Sequence, residues 1–99
     1  MKDVFLVHIL LPEFFSEKFN NLIQNQKLLI NELLEKRVVL SYSLDMEREN
    51  IWVYLEAISE QDVMDILSTF PIIKEVKVNI HELAFFNSAP ISLPDLILN

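Results

Sequence analysis

Six side chains able to do chemistry fall at alternate positions of three apolar segments: His8 in the first, Ser41 and Ser43 in the second, and Trp52, Tyr54 and Glu56 in the third. If these segments are strands, alternation puts all six on one sheet face. A histidine held by a carboxylate is a competent general base near neutral pH, so His8 and Glu56 are the candidate acid–base pair. Tyr54 would donate a hydrogen bond to a developing enolate or carboxylate, and Ser41 and Ser43 would position the substrate. Trp52 offers a ring for stacking. Lys27, in a helical segment, would hold a ligand carboxylate as a point charge. Four of them have a plainer alternative. His8 and Glu56 would also serve as a satisfied polar pair lining an interface, Lys27 as a solvated helix lysine, and Trp52 as core or interface.

Other chemistries are excluded by composition. The 99 residues contain no glycine and no cysteine. Without glycine there is no dinucleotide loop, Walker phosphate loop, nucleophile elbow or EF-hand loop. Without cysteine there is no disulfide framework, thiolate nucleophile or zinc knuckle. His81-Glu82 begins like a zinc-protease motif, but no second histidine follows. A site built from His8, His81 and Glu56 would need a convergence their spacing does not supply. Neither a metal nor a cofactor is therefore expected.

Fifteen acidic against eight basic residues give a formal charge of −7, which repels nucleic acid and anionic lipid surfaces alike. The longest apolar run, Val4 to Leu11, is interrupted by His8 and stopped by Pro12, far short of the ~20 residues that span a bilayer. With no leader-type segment at the start, the expectation is a cytoplasmic protein.

The elements that must carry these side chains follow from periodicity. Asp3 to Leu11 is apolar at both alternating sets of positions, the pattern of a strand covered on both faces. Ser16 is placed to cap a helix whose stripe runs through Phe19, Leu22, Ile23, Ile30, Leu33 and Leu34, broken at Gln26, and which ends near Lys36 or Arg37. Val38 to Met46 and Ile51 to Ile58 read as a hairpin around Glu47–Asn50, with Val39, Ser41 and Ser43 on one face of the first arm. Ser59 and Asp62 resemble a capping box for a second helix that Pro71 closes. A last strand spans Glu75 to about Leu83.

The order is βαββαβ: a ferredoxin-like α+β fold, an antiparallel sheet with two helices on one face. Residues 1–86 form the single domain, and residues 87–99 an apolar tail expected to pack on a partner subunit or over a pocket. With helices on one face only, a sheet apolar on both faces needs a second cover. The 52% apolar content is high for so small a chain, so self-association is the default.

At this point the chain resembles the muconolactone isomerase family. The likeness runs through Val4 to Leu83: Leu11-Pro12 after the first strand, a capped helix opening at Ser16, and Ser59-Glu60-Gln61-Asp62-Val63-Met64-Asp65-Ile66-Leu67 leading into Phe70-Pro71. The resemblance implies a dimeric α+β barrel, two subunits packed sheet to sheet. It also implies a cytoplasmic homo-oligomer and cofactor-free isomerisation, by proton transfer, of an unsaturated lactone bearing a carboxylate. The chain departs from the family at Gln26 and Lys27, where consecutive acids are the rule, and at Val39, Leu40, Ser41, Ser43 and Leu44, where aromatic and basic residues stand. The missing acids of the first helix favour a rival, a non-catalytic oligomeric or ligand-binding module that keeps the barrel. A third reading is a regulatory subunit whose tail docks on a foreign protein.

Overall fold

Strict alternation of large apolar side chains organises the fold. The computed structural model describes residues 2–89. Strand β1 (Asp3–Leu10) buries Phe5, Val7 and Ile9, and β3 (Asn50–Ala57) buries Ile51, Val53, Leu55 and Ala57, all toward the helices. Helix α1 (Glu17–Glu35) contributes Phe19 and Ile30, and α2 (Glu60–Leu67) contributes Val63 and Leu67. Phe70 and Ile72, between α2 and a 3-10 turn at Ile73–Glu75, join this core. Each large side chain sealed here stabilises the fold by roughly 1.5–3 kcal/mol.

Strands β2 (Val39–Leu44) and β4 (Lys77–Glu82) flank the central pair in the order β2-β3-β1-β4, every neighbour antiparallel. A four-stranded antiparallel sheet with two helices in βαββαβ order is compatible with the ferredoxin-like arrangement the sequence predicts. Residues 90–99 of the expected apolar tail, and its packing on a partner, lie outside the described residues.

The helix ends carry local detail that matters for the site. Ser16 accepts a hydrogen bond from the Phe19 N–H at 3.0 Å and starts α1. At the other end Val38 N–H bonds to Leu33 O and Arg37 N–H to Leu34 O, the paired closure of a Schellman motif. The residue at the left-handed position of that motif is usually glycine. Here it is Arg37, with φ 59°. In α2 the Ser59 hydroxyl caps Asp62 N–H as expected. The Asp62 carboxylate reaches one residue further back than a capping box requires, to Ile58 N–H.

One face assignment needs correction. Val39 pairs with Leu55 and Ser41 with Tyr54, so Leu40 is an extra residue in a β-bulge. Uninterrupted alternation puts Val39 with Ser41 and Ser43. The bulge instead turns Val39 into the helix-side core, where it is 1% exposed, because an inserted residue reverses the facing of everything before it.

Candidate functional site

The sheet face away from the helices collects the chemistry. Cross-strand pairing sets Ser43, Trp52, His8 and Asn79 in one row and Ser41, Tyr54, Leu6 and His81 in the next. Glu56 stands opposite Val4. All six strand candidates, His8, Ser41, Ser43, Trp52, Tyr54 and Glu56, therefore share this face.

Sharing a face does not bring them together, and the expected pairing of His8 with Glu56 is not made. His8 lies opposite Trp52, four residues along the strand from the Val4–Glu56 pair, a separation of about 13 Å at ~3.3 Å per residue. His8 Nε2 instead lies 2.7 Å from Asn50 Oδ1. Its ring stacks on Trp52, centroids 5.7 Å apart and planes within 13°. The Asn50 amide in turn donates to Asp45 Oδ2 at 2.8 Å, while the backbone N–H groups of Glu49 and Asn50 donate to Asp45 Oδ1 at 2.8 and 3.0 Å. The Asn50 side-chain amide, followed by its backbone N–H, holds the Asp45 carboxyl below its ordinary value.

Glu56 belongs to a different constellation. With Tyr54 and Ser41 it lines a cleft of about 930 Å³ at one end of the face, walled by Val4, Leu40 and residues 86–89. Phe86 closes on the Tyr54 ring at 5.2 Å. Arg37 enters the same cleft, placed there by the left-handed turn that closes α1 two residues before β2 begins. Among the described residues Arg37 forms no ion pair. The cleft thus combines one cation, one carboxylate, the hydroxyl groups of Ser41, Tyr54 and Ser88 and the Asn87 amide, a set suited to a small organic acid.

Lys27 does not join this set. It is exposed on α1 and lines a smaller groove, about 280 Å³, with Ile30, Asn31, Leu34 and Tyr42. Tyr42 points to the helix side, so Lys27 and Ser41 serve opposite faces of β2. Gln26, beside it, is 2% exposed: its amide donates to the Tyr42 hydroxyl at 3.4 Å, and its Oε1 has no partner among the described residues. Burial pushes the Tyr42 phenol up, opposed by the Gln26 bond.

Three participants escape a reading by alternation alone: Arg37, Asp45 and Asn50. Arg37 looks like an ordinary basic helix end, and Asp45 and Asn50 like hairpin punctuation. The available signal was the Asp45…Asn50 spacing, since an aspartate opening a tight turn bonds the backbone N–H groups that follow it.

Among the described residues no three His, Cys, Asp or Glu side chains gather as metal ligands, and no helix is long and apolar enough to cross a membrane. Comparison with protein-family models finds no match to this sequence, and comparison with curated proteins finds none either.

Proposed function

We propose that this is a cytoplasmic, muconolactone isomerase-like protein that binds a small organic acid or lactone in the Arg37–Ser41–Tyr54–Glu56 cleft and isomerises it by proton transfer without a cofactor. The observation that carries the reading is the entry of Arg37 and Glu56, opposite in charge and unpaired with each other, into one cleft. Arg37 would hold the ligand carboxylate through its guanidinium fork. Glu56 would take a proton from the carbon beside the lactone carbonyl, the Tyr54 hydroxyl would donate to the enolate oxygen as charge develops there, and Glu56 would return the proton at the conjugated carbon.

The same reading pairs the open face with that of a second copy. Leu10 and Trp52 are 39% and 37% exposed on the central strands, and the edge strands carry Ser41, Ser43, Asn79 and His81 around them. An apolar centre with a polar rim is the build of an interface. A non-catalytic binding module is the second reading. It is favoured by Gln26, which stands where the family has an acid and is sealed on the helix side.

The test is titration of 15N-labelled protein with small unsaturated carboxylic acids and carboxylated lactones. Shifts centred on residues 37, 41, 54 and 56, lost in Arg37→Gln, support acid binding. Absence of binding by any such compound overturns it. Binding with turnover abolished in Glu56→Gln supports the isomerase; binding without turnover selects the module.

A further inference from the structure

The proposed cleft leaves one polar network unused, the chain Asp45–Asn50–His8 at the other end of the face. We propose that Asp45 and Asn50 are positioning residues that lock His8 in the tautomer protonated on Nε2, making Nδ1 a second proton-accepting atom on the open face, for a ligand or partner that presents an O–H or N–H group.

Three N–H groups converge on Asp45 within 2.8–3.0 Å, and the ionised carboxylate can only accept. Its Oδ2 therefore selects the amide nitrogen of Asn50. Turning that amide over would set two lone-pair oxygens 2.8 Å apart, so the carbonyl Oδ1 is the atom that must face His8. Oδ1 also only accepts. At 2.7 Å it requires a proton on His8 Nε2, and in a neutral imidazole that leaves the lone pair on Nδ1. Trp52, stacked within 13° of parallel, limits rotation of the ring.

Proton transfer to this site balances simply. The ligand O–H or N–H bond breaks, an Nδ1–H bond forms, the ligand is left with one more negative charge and His8 becomes an imidazolium. The Nε2–H bond to Asn50 persists in the cation, since both of its ring nitrogens then donate. This site is independent of the Arg37–Glu56 cleft, so either proposal can fail while the other stands.

The tautomer can be read directly, without a ligand. The protein has two histidines, and exposed His81 supplies an internal reference. Long-range 1H–15N correlation of the imidazole rings at about pH 8.5, roughly two units above an ordinary imidazole, should show His8 wholly as the Nε2–H form with a slowly exchanging ring proton. His81 should show the averaged pattern of free imidazole. Asn50→Ala should return His8 to the His81 pattern, and Asp45→Ala, which frees the Asn50 amide to turn, should introduce the Nδ1–H form. Asn50→Ala keeps the Asp45–Glu49 bond that holds the turn, so it carries the test if Asp45→Ala unfolds. A wild-type His8 protonated on Nδ1, a His8 indistinguishable from His81, or a tautomer unmoved by Asn50→Ala would overturn the proposal.

Discussion

Asp45 grips Asn50 twice across the β2–β3 turn, accepting from its backbone N–H at 3.0 Å and from its side-chain amide at 2.8 Å. The carboxyl is thereby held below its ordinary 3.8. A depressed folded value means stability fully present above the unfolded value of 3.8 and lost as pH falls through the lower folded one. Thermal melts should therefore show a loss below about pH 4 that is smaller in Asp45→Asn. Identical acid profiles for the two proteins would show that this contact contributes nothing.

Among the described residues of this glycine-free chain two arginines hold the left-handed region, Arg37 at φ 59° and Arg48 at φ 60°. That conformation costs a non-glycine residue about 1 kcal/mol. Arg48→Gly should raise the melting temperature by a few degrees, given ~4–8 °C per kcal/mol in a domain of this size. Arg37→Gly should gain similarly while losing acid binding, separating stability from function at one position. A lower melting temperature in Arg48→Gly would refute the strain argument.

Gln26 is sealed in the core with its Oε1 unpartnered among the described residues, and its bond to Tyr42 is long at 3.4 Å. Gln26→Met keeps the volume and removes the orphaned acceptor. It should stabilise the protein by about 1 kcal/mol, read as a higher urea midpoint. A lower midpoint would mean that the Gln26–Tyr42 bond outweighs the cost of the orphan.

If two open faces meet, a charge at their centre should part them. Trp52→Glu is expected to weaken self-association by about tenfold or more, seen by sedimentation across a concentration series, while leaving the circular dichroism of the fold intact. A wild-type protein that sediments as a monomer at every concentration rules out the dimer.

Much of this molecule is legible in one dimension because two periodicities dominate it. Phe5, Val7 and Ile9, or Ile51, Val53 and Leu55, declare a buried strand face by their spacing, and Ser16 and Ser59 declare helix starts by the chemistry of capping. The bulge at Leu40 is invisible to that reading. Its register is decided by Val39 seeking the core and by the pairing of β2 with β3, and no local signal marks it.

The amino-acid sequence by itself determined the βαββαβ order, the helix-facing core and the common face of His8, Ser41, Ser43, Trp52, Tyr54 and Glu56, since each follows from short-range periodicity. Only the tertiary structure decided which of these groups share a site. Antiparallel register separates His8 from Glu56 by four residues. The left-handed exit of α1 brings Arg37 to the cleft that Glu56 lines, and the turn at Asp45 delivers Asn50 to His8. Such meetings depend on where distant segments stop and turn, and that is a property of the packed chain.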